Sequence, residues 1–231
     1  MNICIIGLGL IGGSFALALR KYALTDRLYG VDASPRNAAK ALELGLVDEL
    51  IEWDRVAEAA DIIVLATPVD VIPQLAIKLL NRIDDSRIVF DMGSTKEELC
   101  EIISQHPRRH RFVAAHPMWG TEHSGPEAAV EDAFVGCNTV LCDVEQSDAD
   151  AVSAVERIFT TIGMKIMYMS PAQHDTHAAY VSLFRISPPS FWLPRYSRRS
   201  ARAPLFSTSR VEASRARCDL PNPRPICGYR Y

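Results

Sequence analysis

Ile3-Cys-Ile-Ile-Gly-Leu-Gly-Leu-Ile-Gly-Gly-Ser14 is the stretch of sequence that decides the fold. An apolar run, three glycines spaced G-x-G-x-x-G and a second apolar run are typical of a strand, a tight turn and a helix that hold a pyrophosphate. Gly7 permits the turn, Gly9 lets the backbone approach the phosphates, and Gly12 lets the helix pack on the strand. Free amides at the start of the helix favour phosphate charge. The turn therefore predicts five cofactor-binding residues: Gly7, Gly9, Leu10, Ile11 and Gly12.

An acidic residue in the right place strengthens the dinucleotide interpretation. Asp32 ends the next apolar run, Tyr29-Gly-Val-Asp32, about 20 residues beyond the last glycine of the motif. Its carboxylate can accept hydrogen bonds from an adenosine ribose and would repel a 2′-phosphate, so NAD is favoured as the cofactor. Arg36 points weakly towards NADP instead. The remaining alternative is a glycine-rich turn that binds no ligand.

Short apolar runs alternate with amphipathic stretches over residues 1–170, which predicts a doubly wound, mostly parallel Rossmann-type α/β sheet. Predicted strands are Asn2–Ile6, Arg27–Val31, Ile62–Ala66, Ile88–Asp91, Phe112–Ala115, Thr139–Cys142 and Lys165–Met169. Predicted helices are Leu10–Tyr22, Pro35–Leu44, Asp70–Leu80, Thr95–Gln105, Asp148–Ile162 and Ala172–Ser182. Ser34 and Ser94 are predicted helix caps.

Polar residues follow three further strands at the edge where such sheets bind ligands. Thr67 and Pro68 come after one strand and are predicted to contact the cofactor. Ser94 and Lys96 follow the next strand and bring a hydroxyl and an ammonium to the nicotinamide end. His116 follows Phe112–Ala115 and is predicted to lie in a loop, where an imidazole can exchange a proton near neutral pH.

Composition narrows the class of protein. The chain has 231 residues, 48% of them hydrophobic, which is enough for a sizeable core. Six cysteines without a Cys-x-x-Cys pair indicate reduced thiols, and no metal-ligand set is evident. The apolar stretch Ile3–Leu19 contains four glycines and no basic flank, so it predicts a buried strand and helix rather than a signal or a membrane span. We expect a cytoplasmic protein without a membrane partner.

The chain resembles the prephenate dehydrogenase family, which includes arogenate dehydrogenases. The resemblance covers residues 1 to about 182. It rests on four motifs: the glycine turn, D-M-G-S-T-K at residues 91–96, A-H-P-M-W-G-T-E-H-S-G-P-E at residues 115–127, and H-D-x-H-A-A-Y-V-S at residues 174–182.

The resemblance implies NAD-dependent oxidation and decarboxylation of prephenate to 4-hydroxyphenylpyruvate, a reaction of tyrosine biosynthesis. It implies that His116 is the catalytic base, that Ser94 orients it, and that Glu122 and His174 line the substrate pocket. Oxidising an alcohol requires a base beside the nicotinamide, which agrees with these roles. Aromatisation drives the loss of carbon dioxide, so the reaction requires no metal.

The resemblance ends abruptly after Ser182. Residues 183–231 hold 10 of the 25 basic residues and only 2 of the 28 acidic ones, and they show no apolar period. The family continues there with a helical domain that supplies a homodimer interface and a substrate-binding arginine. We expect residues 171–182 to begin that α-helical domain, which would be truncated, with its dimer interface lost.

Out-of-frame translation is our hypothesis for residues 183–231. Removing one nucleotide from codons for a family-like H-L-S-H-I-S yields Leu183-Phe-Arg-Ile-Ser187 and the start of Pro188. An alternate frame in the coding DNA that is neither helical nor family-like would contradict it. The rival is a natural basic, disordered segment that contacts nucleic acid, although we expect no nucleic-acid partner.

Three functions stay open from the sequence. The first is a dehydrogenase acting on prephenate or arogenate. The second is another NAD(P)-dependent hydroxy-acid dehydrogenase, which would use a lysine base. The third is an inactive dinucleotide-binding fragment.

Overall fold

The structure is a computed structural model that describes residues 1–186, with side chains to Tyr180. By its contacts the chain divides into two units, residues 1–182 and residues 183–231. The frameshift hypothesis and the predicted disordered segment concern residues 183–231, of which only the backbone of residues 183–186 is described. These two expectations therefore lie outside the described residues.

Within residues 1–186, eight strands form one sheet. They are β1 (Asn2–Ile6), β2 (Arg27–Val31), β3 (Glu49–Leu50), β4 (Ile62–Leu65), β5 (Ile88–Asp91), β6 (Phe112–Pro117), β7 (Asn138–Cys142) and β8 (Lys165–Met169). Their order is β3-β2-β1-β4-β5-β6-β7-β8. The first six strands are parallel, β7 is antiparallel to β6, and β8 is parallel to β7. The prediction of a mostly parallel, doubly wound α/β sheet is confirmed.

In the described part of the chain, seven α-helices connect or follow these strands. They are α1 (Leu10–Lys21), α2 (Pro35–Glu43), α3 (Val56–Ala59), α4 (Ile72–Leu80), α5 (Glu97–Ile103), α6 (Ala149–Thr161) and α7 (Pro171–Ile186). The four-residue α3 and the two-residue β3 were not predicted, because elements this short carry no readable period. None of the helices in the described part of the chain is long and apolar enough to cross a membrane.

The two predicted helix caps have different outcomes. Ser34 is the cap of α2, since its hydroxyl accepts a hydrogen bond of 3.4 Å from the Asn37 amide. Ser94 as a cap is wrong: α5 begins two residues later than predicted, with Lys96 at the cap position. The free amides of Lys96 and Glu97 donate instead to the carboxylate of Asp175, on α7. A cap supplied from another helix leaves no local signal in the sequence.

The core lies on both faces of the sheet. On one face, aromatic rings from α1, β5 and α6 meet at Phe15, Phe90 and Phe159, with ring centroids 5.7 to 6.0 Å apart. All three are fully buried, and each contributes roughly 1.5–3 kcal/mol through burial. This packing fixes the start of α1 against the sheet, and with it the glycine turn.

The end of the described chain differs from expectation. We predicted a helix over Ala172–Ser182, and α7 instead runs from Pro171 to Ile186. The helix continues for four residues beyond Ser182, to Ile186, the last residue that the structure describes.

Candidate active site

The glycine turn between β1 and α1 has the geometry of a phosphate-binding turn. Gly7 has φ +95°, and a Cβ there would lie 2.6 Å from the Ala66 carbonyl oxygen. A Cβ on Gly12 would lie 1.9 Å from the Gly7 carbonyl oxygen. Gly9 differs, since a Cβ there would meet nothing within 4 Å. The turn therefore needs glycine at two positions for its own packing, while the space beside Gly9 is open to a ligand.

The start of α1 also fits a phosphate. Gly9 holds the cap position and provides no side-chain hydrogen bond to the first turn. The first turn contains Leu10, Ile11 and Gly12, none of which is acidic. Uncapped amides at a helix start favour a bound anion, so these residues fit the pyrophosphate of a dinucleotide.

Asp32 lies at the end of β2, beside the glycine turn. One carboxylate oxygen accepts the Leu8 amide at 2.7 Å, and the other accepts the Ser34 amide at 2.8 Å. These bonds fix the carboxylate, and each oxygen keeps a lone pair for a hydroxyl group. Arg36, the weak indication of NADP, is exposed and pairs with Glu127 at 3.7 Å.

Thr67 and Pro68 follow β4 next to the glycine turn. A Cβ on Gly7 would lie 3.0 Å from the Thr67 amide nitrogen, so the two turns are in contact. The Thr67 hydroxyl oxygen is buried and has no hydrogen-bond partner among the described residues. Leaving a buried hydroxyl unpaired costs free energy, so a polar ligand at this position would stabilise the site.

Lys96 does not bring a free ammonium to the crevice. It forms a fully buried salt bridge with Asp91, with 2.6 Å between the ammonium nitrogen and a carboxylate oxygen. The same ammonium donates to the carbonyl oxygens of Gly93 and Thr95 at 2.8 and 3.0 Å. All three of its donors are therefore used inside the protein. Its position near the nicotinamide end stays a prediction, and no donor of this ammonium is left for a ligand.

His116 lies in a strand rather than in a loop. β6 continues to Pro117 because β7 pairs with it in antiparallel register, His116 opposite Val140 and Pro117 opposite Thr139. Our prediction ended the strand at Ala115, since the chain alone does not show that a later strand pairs back. Parallel to β1–β5, β6 nevertheless brings His116 to the sheet edge that carries the glycine turn.

The His116 ring is joined to α7 by a line of hydrogen bonds. Its Nδ1 lies 2.8 Å from Nε2 of His174, with the two ring planes 75° apart. Nδ1 of His174 lies 2.7 Å from Oδ1 of Asp175. Asp175 in turn accepts the amides of Lys96 and Glu97 at 2.8 and 2.9 Å. The line thus connects β6, α7 and the start of α5.

Burial determines the protonation of His116. Desolvation, reinforced by the nearby Lys96 ammonium and by His174, lowers the pKa of His116 to about 3, and Asp175 opposes this shift only in part. The ring is therefore neutral at pH 7 and carries a lone pair. For Asp175, partial burial raises the pKa, but hydrogen bonds from Glu97, His174 and Lys96 outweigh it and lower the pKa below its usual range.

The structure does not join the other two predicted residues to this line. Ser94 is exposed, and the hydrogen-bond partner of His116 within the described residues is His174. The Glu122 side chain is about three-quarters exposed and lies 3.6 Å from His123. It lines an open surface pocket together with His123, Ser124 and Glu127.

Ser14 is a residue of the site region that the sequence reasoning passed over. Its buried hydroxyl accepts the Val130 amide at 3.0 Å. A Cβ on the neighbouring Gly13 would lie 3.0 Å from that of Ala129. The segment after β6 is thereby fixed to the first turns of α1. The available signal was the G-G-S ending of the motif, because Ser14 lies outside the G-x-G-x-x-G pattern.

The fold and the glycine turn define a nucleotide-binding α/β protein. Residues 15–168 match the family described as "Prephenate dehydrogenase, nucleotide-binding domain". The chain belongs to the prephenate dehydrogenase family and carries its nucleotide-binding domain.

Individual relatives agree with this assignment. Prephenate dehydrogenase of Bacillus subtilis (strain 168) is 35% identical over 187 residues, which cover 79% of this chain and 50% of the relative. Cyclohexadienyl dehydrogenase of Zymomonas mobilis is 32% identical over 185 residues, or 78% and 62% of the two chains. This chain thus spans about half to two-thirds of the length of these relatives.

Solved structures show the same likeness. The structure of prephenate dehydrogenase from A. aeolicus in complex with hydroxyphenyl propionate and NAD+ has a TM-score of 0.71 and 30% identity, covering 85% of this chain and 75% of that one. Synechocystis arogenate dehydrogenase has a TM-score of 0.71 and 34% identity, with 79% and 64% covered.

Proposed function

We propose that this chain is the NAD-binding and base-supplying part of a dehydrogenase that converts prephenate to 4-hydroxyphenylpyruvate. The observation that carries the proposal is His116, a neutral imidazole at the sheet edge that also holds the glycine turn and Asp32. A base beside a dinucleotide site is what alcohol oxidation requires. The named activity of the relatives supplies the substrate class.

The residues of this chain fit NAD, as the open space at Gly9 and the fixed Asp32 carboxylate indicate. The backbone at Gly9 and the first turn of α1 would hold the pyrophosphate, and Asp32 would accept the ribose hydroxyls. Thr67 and Pro68 would flank the cofactor. When bound, NAD supplies the hydride acceptor of the reaction.

His116 would accept the proton of the substrate hydroxyl through the ring nitrogen that does not face His174. Loss of this proton favours departure of the hydride from the carbon that bears the hydroxyl group. Aromatisation of the ring then drives the loss of carbon dioxide. Ser94 and Glu122, both exposed near this edge, are proposed to contact substrate or cofactor rather than the resting base.

Two alternatives rest on specific observations. Arogenate is the alternative substrate, because the Synechocystis arogenate dehydrogenase is as similar in structure as the A. aeolicus enzyme. A dinucleotide-binding fragment without turnover is the alternative function, because the chain covers only about half of the Bacillus subtilis relative.

The test is NADH formation by the purified chain with NAD and either prephenate or arogenate. We expect turnover that His116→Asn lowers by roughly 10²–10⁴-fold without weakening NAD binding. His177→Asn, on an exposed histidine of α7, is the matched control and should keep full activity. NAD binding without turnover on either substrate would leave the dinucleotide-binding fragment. Turnover of another hydroxy acid alone would contradict the proposal.

A further inference from the structure

With both rings neutral, the line from Asp175 through His174 to His116 has one arrangement of protons that satisfies every bond. An ionised carboxylate can only accept, and hydrogen bonds hold the pKa of Asp175 low. Nδ1 of His174, 2.7 Å from this carboxylate, must therefore carry its proton. A neutral imidazole has one N–H, so Nε2 of His174 is an acceptor.

The tautomer of His174 in turn determines the tautomer of His116. Nδ1 of His116 lies 2.8 Å from the accepting Nε2 of His174, so Nδ1 of His116 must donate. The remaining nitrogen of His116, Nε2, is then left with its lone pair. With Asp175 removed, His174 would be free to carry its proton on Nε2, and the neutral His116 would then carry its own on the nitrogen meant to act as the base.

The charges around His116 favour this arrangement over a protonated ring. The Lys96 ammonium, paired with Asp91 beneath the strand, disfavours a second positive charge, as does burial. Asp175 is the acidic group that faces the pair from α7, and its carboxylate is held in place by two amides at the start of α5. Its orientation is thus fixed by backbone and not by solvent.

We propose that Asp175 is a positioning residue that, through His174, sets the tautomer of His116 so that Nε2 is the basic nitrogen. The inference rests on the proposed function for its catalytic meaning, since His116 must be the base. It assigns to His174 a role inside the protein: both of its ring nitrogens are engaged, with Asp175 and with His116, and the residue is 2% exposed.

The decisive measurement is the tautomer of each ring in the full chain, read from ¹⁵N chemical shifts and two-bond couplings of ¹⁵N-histidine-labelled protein at pH 7. We expect Nδ1–H on both His116 and His174. The Nε2–H tautomer on either ring, or a doubly protonated His174, would overturn the proposal. Since this readout needs no substrate, correct tautomers in a chain without turnover would count against the proposed function alone.

Substitutions extend the test. Asp175→Ala should bring the Nε2–H tautomer of His174 into the spectrum and lower kcat by at least about 100-fold with KM nearly unchanged. Asp175→Glu, which keeps a carboxylate, should recover part of the loss. His177→Ala, on an exposed histidine of the same helix, is the control and should change neither spectrum nor rate. Unchanged tautomers in folded Asp175→Ala protein would refute the role.

Discussion

The three glycines of the turn have different roles, which the space for an added Cβ atom at each position reveals. Gly7 and Gly12 are required by the protein's own backbone, since a Cβ on either would lie within 2.6 Å of a carbonyl oxygen. Gly9 has open space and an ordinary φ of −75°. The sequence motif treats the three alike, whereas the structure separates folding from binding.

Gly9→Ala should therefore leave stability nearly unchanged while weakening NAD at least tenfold, because the added methyl group occupies the space that the pyrophosphate needs. Isothermal titration with NAD and a urea unfolding curve measure the two effects. Gly120→Ala, which also meets nothing within 4 Å, is the control and should alter neither. Tight NAD binding by Gly9→Ala would show that the phosphates lie elsewhere.

The lowered pKa of His116 predicts that the folded state loses stability in acid. Its folded pKa of about 3 lies below the ordinary value of 6.5, so between these values the unfolded chain binds more protons. The folded state therefore loses stability as pH falls from 6.5 towards 3, by up to about 1.4 kcal/mol per pH unit from this group. His116→Gln does not titrate there and should flatten the curve of unfolding free energy against pH. His123→Gln should leave its slope unchanged.

At the scale of elements, the segment between β5 and α5 is held by a buried ion pair. Lys96 and Asp91 are both fully buried, and the carboxylate also accepts the Gly93 and Ala115 amides at 2.8 and 3.1 Å. The pair thus ties the end of β5 to β6, just ahead of His116. Two residues of the D-M-G-S-T-K motif, Asp91 and Lys96, thus stabilise the fold, although the motif was interpreted as part of a ligand site.

Lys96→Met should destabilise the fold by roughly 3–5 kcal/mol, because it leaves the Asp91 carboxylate buried without a countercharge. Denaturant unfolding measures this loss. Lys78→Met, on the exposed face of α4, is the matched control and should stay within about 0.5 kcal/mol of the unchanged chain. A comparably small effect at Lys96 would mean that Asp91 is not ionised.

Over the whole molecule, the positions of most strands were predictable from the sequence, and the pairing of the reversed strands was not. Apolar runs bounded by turns placed β1, β2, β5 and β8 at their observed bounds. Which strand pairs with which is a long-range property, so the extension of β6 through His116 had no local signal. The cap that Asp175 provides for α5 was not predicted for the same reason, because the donors lie 78 and 79 residues away along the chain.

The candidate site likewise has a part that the local sequence indicates and a part that depends on tertiary contacts. The glycine turn, Asp32 and Thr67 were found because each follows a strand that could be recognised locally. The adjacency of His174 and Asp175 was visible in the sequence, but its meaning depended on α7 folding back over β6. Residue type and spacing thus predicted the cofactor-binding half of the candidate site, whereas the other half depends on tertiary contacts.

The separation of His116 from His174 has a consequence for synthesis. The ribosome delivers the second ring 58 residues after the first, when all of β1 to β8 is already made. If His116 is the base and Asp175 sets its tautomer, as we propose, a nascent chain can fold its glycine turn before α7 is made and fixes that tautomer. Nucleotide binding and proton acceptance would then become possible at different times during synthesis.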